Sequence, residues 1–417
     1  MFRWSSLVCW GLMTLVGAAA PADDPRPRHY EQIVAEFDQA REAANRAYTV
    51  AKTEEEQRAI QRPRAKDYAP RLMELAETQP DDATARRAMI WVLEHNVETG
   101  FDKRYAPLVV RATELLLRFH KDEEAVGVVL LKLTDIPSPP RDQFLRAMVE
   151  QTTNRVNQGR ACLALAEYLK MKGYFIQQLR NPAYQSEDPV WTNQFYGTAY
   201  LAALKAVDPG PLLAESERLY ERVLAEYAEI EHLPAPRHPG RIRPLGELAN
   251  SGLDELRHLV VGQPAPEVDG RDVADRPMTL SEHRGKVVVL VFWGSWCGAC
   301  MAQIPHEKLL AERMKDRPFA LLGVNSDESR DTAETVADRE GITWRSWFDG
   351  GTVGGPIARR WNVPFWPMIN IIDHKGVIRA REVVDTTFLD KLVDELVAEA
   401  EKEATPPQAP GPRGAQP

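Results

Sequence analysis

The stretch that most narrows what this chain can become is VVVLVFWGSWCGACMAQIP, Val287 to Pro305. Its seven consecutive apolar residues, Val287 to Trp293, read as a buried strand, and Gly294 to Trp296 read as a turn. A helix then opens at Cys297 and carries Cys300 one turn later on the same face. The first N–H groups of a helix lack backbone partners, and the helix dipole adds positive potential there. A thiol at that end is stabilised as thiolate, so Cys297 reads as a nucleophile. Cys300 reads as the thiol that resolves a mixed disulfide formed on it.

The rest of the chain limits where such chemistry sits. With 417 residues there is room for two or three domains, and a formal charge of −9 without any basic run argues against a general nucleic-acid surface. Arg3 precedes the apolar run Leu7 to Val16, which closes on Gly17-Ala18-Ala19-Ala20. That is the plan of a secretory signal, and the run is too short to span a bilayer comfortably. Residues 1–22 are therefore expected to direct export to the periplasm or cell envelope, or to remain as an N-terminal anchor. Without that segment three cysteines are left, Cys162, Cys297 and Cys300, which suits one redox pair plus one spare. Cys162 shares an apolar helical stripe with Leu165, Ala166 and Leu169, so it is expected to be a buried, inert small hydrophobe.

Apolar residues at helical spacing dominate residues 24–233. Tyr105, Leu108, Val109, Ala112, Leu115, Leu116 and Phe119 form one stripe, and Leu219, Tyr220, Val223, Tyr227 and Ile230 another. The expectation is an all-α region, either an irregular helical-repeat array or a plain bundle, with a surface on which a partner could dock. Residues 234–258 read as a proline-rich linker followed by a connecting helix, and residues 404–417 as a low-complexity tail.

Several motifs after that point resemble the TlpA/ResA-like thiol–disulfide oxidoreductases of the thioredoxin superfamily, over roughly Val261 to Ala400. They are the opening segment VGQPAPEVDGRD with a following RGK, the FWGSWCGAC strand and turn, Pro305 inside the next helix, and PMINIIDHKGVI. The resemblance implies an α/β thioredoxin fold over 259–403, a central mixed sheet flanked by helices, appended to the all-α N-terminal region. Further strands are expected at Phe319 to Val324, Trp344 to Phe348, Met368 to Ile372 and Val377 to Arg381, with helices at Thr332 to Arg339 and Thr386 to Glu401. It also implies dithiol/disulfide exchange with protein substrates in the bacterial envelope, as a reductant served by an upstream redox partner at the membrane. Pro367 would be the cis-proline beside the cysteines, and Trp296 and Trp366 would flank the site as apolar surface for substrate. No organic cofactor or metal is implied.

The sequence departs from the resemblance at the proton step. Thioredoxins carry an acid six residues before the first cysteine, where this chain has Val291. ResA-like proteins carry a glutamate three residues after the second, where it has Gln303. An amide hydrogen-bonds but does not titrate. His306 and Glu307 lie nearby in sequence and are candidates to substitute for that acid, but read equally as surface residues. A peroxiredoxin would need Thr or Ser at Gly294, and a zinc site would need a second ligand pair. The alternative is a non-enzymatic envelope scaffold or redox sensor whose helical region binds a partner; the Cys297/Cys300 pair and Pro367 count against a domain that merely folds.

Overall fold

The computed structural model describes residues 24–51, 53–95, 106–134, 137–180, 198–232, 243–351, 354–363, 365–383 and 385–404. The expected export signal, residues 234–242 of the expected linker, and residues 405–417 of the expected tail lie outside them. The chain divides between Glu98 and Thr99 into two compact units.

The first unit is helical: α1 (Arg26–Val50), α2 (Ala69–Thr78) and α3 (Ala83–Glu94). Asp82 caps α3 by accepting the Ala85 N–H at 2.8 Å, which satisfies one of the donors that a helix start leaves unpaired. Phe37 of α1 meets Trp91 of α3 edge-on, with ring centroids 5.2 Å apart, and fixes the pairing of the two helices.

The second unit begins with α4 (Ala106–Phe119), α5 (Pro139–Gln151), α6 (Arg155–Arg180), α7 (Thr198–Ala206), α8 (Pro209–Glu226) and α9 (Leu245–His258). Helix α6 is buried on most of its circumference, as expected for a helix that others wrap. Cys162 lies on it, fully buried in a core cluster that includes Tyr220 and Val223 of α8 and Ala249 of α9. Burial pushes its thiol up to about 11, so it stays protonated, in agreement with the inert reading.

A hairpin of β1 (Asp269–Arg271) and β2 (Pro277–Thr279) leads into a five-stranded sheet. The sheet contains β3 (Val287–Trp293), β4 (Phe319–Asn325), β5 (Ser346–Phe348), β6 (Met368–Ile372) and β7 (Ile378–Ala380), in the order β5-β4-β3-β6-β7. Strands β3, β4 and β5 run parallel, while β6 and β7 are antiparallel additions. Parallel neighbours need crossovers, supplied by α10 (Gly298–Met314) and α11 (Arg330–Glu340). A short helix, α12 (Pro356–Arg360), precedes β6, and α13 (Thr386–Ala404) closes the chain. The sheet, its crossovers and the flanking helices agree with the expected thioredoxin fold. The β1–β2 hairpin and a two-residue antiparallel pairing of Glu231–His232 with Arg243–Pro244 add to the sequence reading.

Strand β3 shows why this core reads as one apolar run. Val287, Val289, Val291 and Trp293 belong to the layer with α10, α11 and α13, and Val288, Leu290 and Phe292 to the opposite layer with the hairpin and α12. Both faces are covered, so no polar alternation is needed. Ile176 and Leu179 of α6 and Leu201 and Leu204 of α7 join the first layer, which makes one continuous core of helical segments and sheet. Among the described residues, no helix is long and apolar enough to cross a membrane.

Candidate functional site

The site forms where β3 ends. Cys297 stands just before α10 with extended backbone, as its N-cap, and its Sγ accepts the Cys300 N–H at 3.0 Å. The two cysteines form a disulfide. The Met301 N–H donates to the Cys297 carbonyl, the first bond of the helix, so Cys297 lies at the positive end of the helix dipole. Pro305 is accommodated inside α10, as expected.

The end of β4 holds the turn that presents Cys297. Asp327 is buried and accepts both the Ser295 N–H at 2.9 Å and the Ser295 hydroxyl at 2.7 Å, and the Asn325 amide donates to it at 2.8 Å. The Ser326 N–H donates to the Trp293 carbonyl at 2.9 Å. Asn325, Ser326 and Asp327 are site-forming residues that sequence reading missed. Their signal was a polar triplet, Asn-Ser-Asp, directly after the apolar run of β4.

The Trp366–Pro367 peptide is cis, as expected for Pro367. Register places it beside the redox turn, because Met368 pairs with Phe292 across β6 and β3. Trp366 donates its indole N–H to the Ser326 hydroxyl at 3.1 Å, and its ring lies 5.7 Å from that of Trp296. Trp296 is 48% exposed, a large apolar surface at the rim of the site. Gly294 makes room for it: a Cβ at that position would stand 2.7 Å from the Trp296 indole nitrogen. A side chain at that position would require the Trp296 ring to move.

The structure also settles the nearby titratable residues. His306 turns to the flank and meets Asp390 of α13 at 3.1 Å. Glu307 corrects the sequence reading: it is not a surface residue but only 5% exposed. It occupies the stripe Cys300, Ile304, Glu307, Leu310 and Met314, whose steps of three and four residues set one helix face on the sheet. Desolvation pushes its carboxyl up to about 7, and no charged group opposes the shift. Val291, at the position where thioredoxins carry an acid, is apolar and lies in the same layer. Among the described residues, no group of three or more His, Cys, Asp or Glu side chains is placed to hold a metal.

A second buried cluster lies at the β7 edge. Glu255 of α9 accepts from Lys170 of α6 at 2.9 Å, from Arg381 at 2.7 Å and from the Asn362 amide at 2.5 Å. Burial alone would raise this carboxyl, but Lys170 and Arg381 hold it down, at about 2. Arg381 also donates to the Trp361 carbonyl at 3.2 Å, so the cluster ties the helical segments to the stretch that leads into Trp366 and Pro367.

Known proteins resemble the C-terminal part of this chain. Residues 261–381 match the AhpC/TSA family. A thiol-disulfide oxidoreductase ResA of Geobacillus kaustophilus is 31% identical over 125 residues, covering 30% of this chain and 70% of that protein. The protein of the same name from Geobacillus thermodenitrificans is 34% identical with the same coverage. Among solved structures, a thiol-disulfide oxidoreductase from Bacteroides fragilis aligns at 24% identity and a TM-score of 0.31, over 32% of this chain and 100% of its own.

Proposed function

This chain belongs to the TlpA/ResA-like thiol–disulfide oxidoreductases of the thioredoxin superfamily, and from that premise we propose that it reduces protein disulfides in the bacterial envelope through the Cys297/Cys300 couple. The observation that carries the reading is the disulfide at the start of α10, with the Cys300 N–H on the Cys297 sulfur. In the reduced chain the Cys297 thiolate attacks a substrate disulfide, and one substrate sulfur leaves. Cys300 then attacks the Cys297 sulfur, which closes the internal disulfide and frees the second substrate sulfur.

The cis Trp366–Pro367 segment and the Trp296/Trp366 surface suit an extended substrate strand laid beside the redox turn. The apolar run Leu7 to Val16 supports export, and a reductant outside the cytoplasm needs an electron donor at the membrane. The helical segments before residue 258 offer a surface for a further protein partner.

Turnover of insulin disulfides with dithiothreitol as reductant tests the proposal. Cys297→Ser is expected to abolish exchange, and Cys300→Ser to accumulate mixed disulfides on Cys297. Full activity in Cys297→Ser would refute the assignment. Fractionation of cells that express the tagged full chain tests the location, and recovery in the cytoplasm would refute export.

A further inference from the structure

The resolving step releases a proton from Cys300, and neither position at which relatives carry an acid is acidic here. Two polar side chains, Gln303 and Glu307, follow Cys300 along α10. Gln303, one turn along α10, has a buried carbonyl oxygen Oε1 that accepts no hydrogen bond. Glu307, one turn further, is buried, and no hydrogen bond or ion pair to its carboxyl is found among the described residues. Steps of three and then four residues make Cys300, Gln303 and Glu307 successive neighbours along the helix surface. Helical side chains lean toward the N-terminus, so Glu307 reaches back toward Gln303, and Gln303 toward Cys300. The α-carbons of Cys300 and Glu307 are about 10 Å apart along the axis, a gap that the two longer side chains largely fill.

We infer that Glu307 is the proton acceptor for Cys300 in the resolving step, reached through a water on the Gln303 amide. This rests on the roles proposed above for Cys297 and Cys300. The proton leaves the Cys300 thiol and neutralises the Glu307 carboxylate. The Cys300 thiolate forms the bond to the Cys297 sulfur, the bond from Cys297 to the substrate breaks, and the substrate leaves as thiolate with the electron pair. Two electrons thus pass from the dithiol to the substrate. The disulfide form is left with a neutral Glu307, the state that an apolar layer favours, and burial agrees by pushing this carboxyl up to about 7.

The surroundings isolate Glu307 from other charges. On its own helix His306 and Arg313 are engaged by Asp390 and Asp394 of α13, and Lys308 donates to the Glu340 carbonyl at the end of α11. Strands β3 and β4 present Val287, Val289, Val291, Trp293, Phe319 and Leu321 to this layer. Asp327, at the end of β4, is occupied by Ser295 and Asn325.

Ellman's reagent separates the two exchange steps in the reduced full chain. The first coloured thiolate released reports attack by Cys297, and the second reports resolution by Cys300. The wild-type second phase is expected to accelerate as pH rises through about 7, where Glu307 becomes a carboxylate. Glu307→Gln should slow that phase roughly tenfold or more at pH 7 and remove the acceleration, with the first phase unchanged. Adding Gln303→Glu to Glu307→Gln should restore the rate, because it returns a titratable group beside Cys300. A wild-type second phase in Glu307→Gln at every pH overturns the inference. A slow phase that Gln303→Glu does not recover, accompanied by a lower unfolding temperature, overturns it as well and leaves Glu307 a structural residue. Loss of the first phase in wild type would instead refute the nucleophile assignment.

Discussion

Glu255 and Glu307 are both buried in the second unit, yet their surroundings are opposite. Glu255 stands between Lys170, Arg381 and Asn362, and these partners keep it charged. Glu307 stands among apolar side chains, and desolvation keeps it protonated to about pH 7. A buried carboxyl must be compensated, and here one is compensated by cations and the other by a proton. The first arrangement locks α6 and α9 to the sheet edge, while the second leaves a group that can exchange its proton beside a redox couple.

The largest effect is expected from breaking the charged arrangement. Glu255→Ala would leave Arg381 buried without its hydrogen-bonded carboxylate and Lys170 with Glu167 alone, at a cost of roughly 3–5 kcal/mol. Urea unfolding of the full chain measures this, and an unchanged midpoint would mean that the ions find other partners.

Glu307→Leu tests the opposite arrangement and should stabilise the fold in a pH-dependent way. The folded carboxyl titrates near 7 against an unperturbed 4.5, so its penalty is absent below about pH 4.5 and grows as pH rises. Above pH 7 the penalty is complete, on the order of 3 kcal/mol. Relative to wild type, Glu307→Leu should therefore unfold at higher urea at pH 8 and at similar urea at pH 4. Stabilisation that is equal at both values would trace to packing rather than to the charge.

Cys162 sharpens the contrast, because it too is buried and holds its proton, with its thiol pushed up to about 11, but in the helical segments. Iodoacetamide should label it only when the chain unfolds, and Cys162→Ala should leave exchange rates unchanged. Labelling in the native chain would show that the helical core opens. The smallest stability effect is expected from Trp296→Ala, since the ring is half exposed. Its cost should stay near 0.5 kcal/mol while insulin reduction slows, and equal turnover would remove Trp296 from substrate contact.

What was legible in the sequence was local. The apolar run of β3, the cysteine spacing, Pro305 and the Met368 to Ile372 strand each announce themselves within a few residues, and the structure places them accordingly. Partnerships between distant residues were not legible. Glu255 and Arg381 meet across 126 positions, and Ser295 and Asp327 across 32, with no pattern that links them in the chain. Glu307 lies between these cases. The stripe from Cys300 through Ile304 to Met314 runs through its position, but a charged residue beside His306 and Lys308 reads as surface until the helix is seen against the sheet. The β1–β2 hairpin, with three residues in each strand, is too short to show alternation.

The most direct measurement is to map, by mass spectrometry, the adduct left after a brief exposure of the reduced full chain to iodoacetamide at pH 7. The account predicts carbamidomethylation at Cys297, with Cys300 and Cys162 unmodified. First labelling at Cys300, or none at either member of the pair, would contradict Cys297 as the nucleophile at the start of α10.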